Sequence, residues 1–270
     1  MKLYNFRYGG LLCLLAAGVI LLFGCSSSSY RLSGGELIRT SLNDVVTKLP
    51  RRALDDSRYT FFRNDNLTAL LLAGGASISL HNSDADDNAA GNFERHDGFS
   101  KFTDESLNIV GSPGTHFAVA GVWYLDSLGR QDSINTERAW TMLSALSITG
   151  VSTLGLKAIV HNETPNGKDL AWPSGHTASS FAFASVLDEF YGPKVGIPAY
   201  AAASLVGWRM MDTGDHWVSD VVFGAVLGWV VGHTVAGRYE EIEIAGFEVM
   251  PFTGTSQNGS CVGINLVKSF

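Results

Sequence analysis

From Thr115 to Gly237 the chain is a succession of long apolar stretches with helical spacing, separated by short polar joints. The spacing predicts helices over 115–128, 134–161, 176–191, 194–211 and 216–237. Gly, Ala and Ser recur along all of them, so neighbouring helices can approach closely. Such a series folds only as a helical bundle. The longest unbroken apolar run in this stretch, "VVFGAVLGWVV", is shorter than the ~20 residues that a membrane crossing needs, and mean hydropathy of the chain is only +0.12. The expectation is therefore a lipid-anchored globular bundle, not a multi-spanning protein.

The anchor is read from the N-terminus. Lys2 and Arg7 precede the apolar run "LLCLLAAGVILLFG", and Gly24 stands before Cys25. A short positive segment, an apolar core and a small residue at the cleavage point make residues 1–24 a signal peptide. The pattern resembles a bacterial lipoprotein signal, with Cys25 as the acylated (palmitate-bearing) residue. Ser26–Ser29 form a flexible tether, and Ser26 is compatible with onward sorting from the inner membrane. Cleavage removes two basic residues, moving the formal net charge from −7 to about −9. Without a Lys/Arg stripe, nucleic acid is excluded as a partner. Mature Cys261 has no cysteine to pair with once Cys25 carries lipid, so packing must hold the fold.

Between anchor and bundle, residues 25–59 comprise the tether and one short helix stopped near Pro50. "NLTALLLAGGASISL" is a second, more buried helix within a helical domain over 60–238. Residues 81–113 are polar and turn-rich and read as a long loop with at most one short element. Its "DADDN" lacks the glycine and closing glutamate of a calcium loop, since Ala89 and Arg95 stand there. In the tail, 239–270, two β-prone runs flank "TGTSQNGS" and suggest a hairpin. Nothing in the sequence signals an oligomeric state.

Three pieces could carry chemistry. In "WPSGHT", Ser174 is a plausible N-cap for a helix beginning at Gly175 or His176. Free amides and the helix dipole then favour an anion, with His176 as a neighbouring acid; a capped helix start with an incidental histidine is the plainer alternative. His216 and Asp220, four apart, share a helix face, so the carboxylate can hold one ring nitrogen and leave the other nucleophilic. A structural hydrogen bond would use the same spacing. Upstream, the Arg209 guanidinium matches phosphate oxygens. Lys157 lies late in an apolar helix, where it needs an anion or an outlet to solvent.

Taken together, Lys157, Pro-Ser-Gly-His ending at His176, Arg209, His216 and Asp220 resemble the type 2 phosphatidic acid phosphatase superfamily. It groups lipid phosphate phosphatases, acid phosphatases and vanadium-dependent haloperoxidases on a helical bundle. The resemblance spans roughly 60–238. It implies that His216 attacks phosphorus, Asp220 orients it and His176 protonates the leaving alkoxide. Lys157, Ser174, the Gly175 amide and Arg209 would hold the phosphoryl oxygens. No metal or other cofactor enters that scheme, and the substrate is a lipid or small phosphate ester. Two positions depart from the motifs: Thr164 replaces an arginine before Pro165, and Trp208 precedes Arg209, with six residues instead of five before His216. Lys168 could stand in for the arginine. A scaffold or phosphate-binding role, a vanadate-dependent haloperoxidase, and a zinc site of His161, His176, His216 and Asp220 are the alternatives. Lys157 and Arg209 speak against the last, because they suit an anion.

Overall fold

The computed structural model describes residues 32–95 and 98–240, and the backbone of three strands beyond them. The signal segment, Cys25 and the tether lie outside the described residues. The chain opens with α1 (Gly34–Asn43), where Ser33 and Glu36 form a reciprocal capping box. A π-helical turn (Asp44–Lys48) leads into α2 (Leu49–Phe61). Pro50 starts this helix and does not stop one: in the first turn its missing N–H costs nothing.

Helix α3 (Asn64–His81) is less buried than its apolar composition suggested, since Leu71, Leu72 and Ile78 face outward. The expected loop over 81–113 contains two helices, α4 (Ala85–Arg95) and α5 (Lys101–Val110). Ser100 caps α5 by accepting from the Thr103 amide. Their polar composition reflects a surface position, not irregular structure. Five longer helices follow: α6 (Pro113–Arg130), α7 (Ser133–Val160), α8 (Gly175–Tyr191), α9 (Pro193–Asp212) and α10 (Val218–Glu240). Each lies within a few residues of its expected position.

The core gathers Trp123, Tyr124, Met142, Leu146, Val186 and Leu227. Its closest approach is between α8 and α10. A Cβ on Gly224, Gly228 or Gly232 would lie 2.7, 2.1 or 2.5 Å from the carbonyl oxygens of Ser174, Ala178 and Ala182. This Gly-x₃-Gly-x₃-Gly stripe lets backbone meet backbone. It joins the helices whose N-termini carry His176 and Asp220. On another side, buried Asp56 of α2 accepts from Ser144 Oγ at 2.7 Å, Arg238 Nη1 at 2.9 Å and Tyr239 Oη at 3.1 Å, tying α2 to α7 and α10.

Ser133–Val160 and Val218–Tyr239 are long and apolar enough to cross a bilayer. The run-length argument missed them because isolated polar residues interrupt a run without ending a helix. Most of Val218–Tyr239 is buried inside the bundle, whereas Val151, Leu154 and Ile159 of α7 are 72%, 67% and 79% exposed. Beyond the bundle, β1 (Glu243–Ile244), β2 (Phe247–Ser256) and β3 (Gly259–Val267) pair antiparallel in that order.

Candidate functional site

The site forms where α8 and α10 begin. Ser174 is the N-cap of α8, its Oγ accepting from the Thr177 amide, and its own amide donates to the Asp220 carbonyl at 3.1 Å. A cis Trp172–Pro173 bond precedes it. One helix start is thus hydrogen-bonded directly to the other. The Gly175 and His176 amides lie in the first turn of α8, where N–H groups have no intrahelical acceptor.

His216 sits one turn before Asp220, with Nδ1 3.2 Å from Asp220 Oδ2. The same oxygen accepts from the Trp217 amide at 3.0 Å. With Nδ1–H donated to the carboxylate, the lone pair is left on Nε2. His216 is 8% exposed and Asp220 fully buried. Asp220 Oδ1 is buried without a hydrogen-bond partner among the described residues, so its charge is available to stabilise a cationic imidazole.

His176 completes the cluster. Burial, reinforced by the charges of His216 and Arg209, lowers its pKa from 6.5 to about 4. Lys157 Nζ donates to the carbonyls of Leu170 and Ala171 (2.9 Å to the latter), so it does not snorkel freely. Burial pushes its pKa down while Asp220 opposes the shift. Arg209 is clamped between two carboxylates: Nε donates to Asp104 Oδ1 and Nη1 to Asp215 Oδ2, both at 2.7 Å. Neither bond uses Nη2. All seven residues read from the motifs therefore lie in one neighbourhood.

Thr164 and Lys168 do not add a cation to it. Thr164 is buried in a turn, where its Oγ1 accepts from the Lys168 amide at 2.8 Å. Lys168 Nζ reaches Asp215 Oδ1 at 2.7 Å, so the carboxylate stands between the lysine and Arg209. Burial opposes ionisation of Asp215, but its bonds to Lys168, Asn166 and Thr213 and the Arg209 charge outweigh that and bring its pKa to about 2. His161 instead ends α7 in the left-handed region.

Sequence reasoning missed four groups. Asp104 and Asp215 hold Arg209. Asp86, from the discarded calcium pattern, accepts from the Ser219 amide at 3.0 Å and Oγ at 2.6 Å, fixing the residue before Asp220. Buried His116 on α6 places Nδ1 3.1 Å from Ser179 Oγ, and that hydroxyl donates to the His176 carbonyl at 3.2 Å. Burial, with a smaller contribution from the His176 charge, lowers its pKa to about 4. Only Asp86 left a signal, as an acidic cluster near a helix start. An open cavity of about 890 Å³ lies beside the site, its lining including Asp104, Asn166 and Trp217.

Comparison with known proteins places this geometry in a wider context. The lipid A 1-phosphatase of Porphyromonas gingivalis is 40% identical over 65 residues, which cover 23% of this chain and only 15% of that protein. The crystal structure of the first transmembrane PAP2 type phosphatidylglycerolphosphate phosphatase from Bacillus subtilis aligns over 66% of this chain and 96% of its own. That alignment has 17% identity and a TM-score of 0.52, a likeness of fold. The crystal structure of Aquifex aeolicus LpxE covers 52% of this chain and 88% of its own, at 20% identity and a TM-score of 0.44. A family model described as the PAP2 superfamily matches residues 86–241, more than half of the chain and the whole of the site just described. The chain belongs to the PAP2 superfamily.

Proposed function

We propose that this protein is a metal-independent phosphatase that hydrolyses a lipid phosphate monoester or diphosphate through a phosphohistidine on His216. The observation that carries the reading is the buried His216–Asp220 pair at 3.2 Å, facing the capped start of α8 and beside Arg209. Family membership supports phosphatase chemistry, and the names of the matched relatives support a lipid phosphate as substrate.

In this reading the phosphoryl group sits on the α8 amides and Ser174, with Lys157 and Arg209 contributing positive charge. His216 Nε2 attacks phosphorus as the bond to the leaving oxygen breaks. Protonated His176 gives its proton to that oxygen, and Asp220 stabilises the charge on the His216 ring. Water then attacks phosphorus, the N–P bond breaks, and His176 takes a proton from the water. With its pKa lowered to about 4, His176 is neutral near pH 7; an arriving phosphate anion raises that pKa and so favours the acid form. The fixed donors supply most of the stabilisation as charge develops on the phosphoryl oxygens.

The exposed apolar faces of α3 and α7 and the proposed acyl group on Cys25 keep the bundle on a membrane of the bacterial envelope, facing the periplasm. One observation favours a second reading, a catalytically weakened or inactive lipoprotein scaffold. Asp104 and Asp215 together neutralise Arg209, and Thr164 adds no charge. Phosphate release from a panel of lipid and soluble esters, with His216→Ala in parallel, separates the two. The phosphatase reading expects release that disappears in the variant. No release above that of the variant from any ester would leave the scaffold.

A further inference from the structure

A second cavity, about 260 Å³, opens between α3 and the end of α7, and Asp220 is part of its lining. No other residue read from the motifs lines it, so it lies behind the carboxylate and apart from the phosphate position. Ile78 and Val160, which line its outer part, are 64% and 45% exposed. They belong to the apolar faces of α3 and α7 that the proposed function lays against the membrane.

Most polar groups of the lining are spent on partners. Ser77 Oγ donates to the Ser219 carbonyl at 3.0 Å and accepts from Trp172 Nε1 at 2.9 Å. Ser219 Oγ and His81 Nδ1 both turn to Asp86. The walls that remain are almost wholly apolar. Asp220 is the exception. Its Oδ2 is taken by His216 and the Trp217 amide, whereas Oδ1 is buried without a partner among the described residues. A buried carboxylate oxygen left unpaired is costly and calls for a donor. A lone water would want about two to four polar partners, more than such walls supply. Asn162, also in the lining, accepts from the Trp172 amide at 2.8 Å through Oδ1, which leaves Nδ2 as a donor. One acceptor and one donor on apolar walls suit a hydroxyl carrying a hydrocarbon tail. An ammonium could not accept from Asn162, and a carboxylate would repel Asp220.

We infer that this cavity is an inhibitory site for a single-chain aliphatic alcohol that enters from the membrane side. The hydroxyl donates to Asp220 Oδ1 and accepts from Asn162 Nδ2, and the tail fills the apolar remainder. At ~30 Å³ per water-sized group, the volume holds about nine such groups. That matches an alcohol of about eight carbons and leaves no room for a second chain. A hydrogen bond to Oδ1 withdraws charge that Asp220 otherwise offers to the His216 ring, so the rate falls while phosphate binding is untouched. The effect on rate rests on the phosphatase reading; the binding does not.

The probes are octan-1-ol and its methyl ether, titrated calorimetrically into the full chain in lipid nanodiscs, with empty nanodiscs as the blank. The ether keeps the tail and the oxygen but has no proton to give. Octanol should bind at least tenfold tighter, the worth of a hydrogen bond to a charged group. Gly74→Leu fills the cavity: Gly74 lines it, and a Cβ there meets only Phe223, at an ordinary 3.8 Å. Gly75→Leu, exposed on the same helix and outside the lining, is the control. Octanol binding should weaken at least tenfold in Gly74→Leu and stay unchanged in Gly75→Leu. In phosphate release, saturating octanol should lower kcat about tenfold at constant KM, and Gly74→Leu should resist it. Equal binding in the two variants would overturn the site and leave octanol merely dissolved in lipid. Ether binding as tight as octanol in the unaltered chain would overturn the bond to Asp220. A raised KM at constant kcat would put the alcohol in the phosphate position and overturn inhibition through the carboxylate. If binding behaves as expected and the chain releases no phosphate without octanol, the phosphatase reading fails and the alcohol site stands.

Discussion

Gly228→Ala tests whether the contact between α8 and α10 sets the geometry of the site. The new Cβ would lie 2.1 Å from the Ala178 carbonyl oxygen and 2.8 Å from the Ala182 amide nitrogen. Ordinary contact begins at 3.4 Å, so the helices must part by about 3.4 − 2.1 = 1.3 Å. Both opposing atoms are backbone and cannot rotate away. Overpacking of this kind costs ~1–3 kcal/mol, and replacing a helical glycine returns ~1 kcal/mol, so net destabilisation is at most about 2 kcal/mol. The activity should suffer more. Ala178 is two residues from His176, and Gly228 lies two turns from Asp220, so separation there shifts the proposed acid relative to the proposed nucleophile. A misplacement of ~1 Å can cost ~100-fold in rate. The expected result is a thermal midpoint lowered by a few degrees and kcat reduced by one to two orders of magnitude in phosphate release. Gly150→Ala on α7, where a Cβ meets nothing within 4 Å, should keep both. Gly228→Ala with wild-type rate and midpoint would refute the close helix contact and the positional argument built on it.

Asp220→Asn should lower kcat by up to ~10⁴-fold, the size of effect seen when a carboxylate that orients a catalytic histidine is lost, with circular dichroism unchanged; a loss under tenfold would deny the carboxylate its orienting role. Asp215→Asn should tighten inhibition by inorganic phosphate by up to about a hundredfold, because unit charges ~6 Å apart repel by about 3 kcal/mol at an effective dielectric of 20. Weaker inhibition would instead make Asp215 the residue that aims Arg209. His116 has a folded pKa of about 4 against an ordinary 6.5, so the unfolded chain binds more protons between those values. Its share of stability is complete above pH 6.5 and is lost as pH falls through 4, about 3 kcal/mol at most at ~1.36 per unit. Denaturation across that window should show a smaller acid loss in His116→Gln, and an identical loss would refute the assignment. Cys25→Ser should raise the share of protein released from membranes, since the apolar faces of α3 and α7 are then its remaining hold, and unchanged retention would refute the acyl anchor.

What the sequence made legible was short-range. Ser174 capping α8 and His216 facing Asp220 depend on spacings of three and four residues, which helical geometry fixes before any tertiary contact forms. The partners it concealed lie far away along the chain: Asp104 is 105 residues from Arg209, Asp86 is 133 from Ser219 and His116 is 63 from Ser179. Apolar content likewise announced α3 as a helix but not which way Leu71 and Ile78 would face, since burial by protein and exposure toward lipid use the same residues. Two departures from the family motifs, separate in sequence, prove to be linked in space. The Thr164 hydroxyl, standing where an arginine belongs, closes the turn that carries Lys168. Lys168 reaches Asp215, within the joint that is one residue too long, and Asp215 in turn holds Arg209. Here Lys168 is balanced by Asp215, the carboxylate that also holds Arg209. In the proposed phosphatase scheme, the missing motif arginine and the extra residue before His216 therefore act on the same group, Arg209.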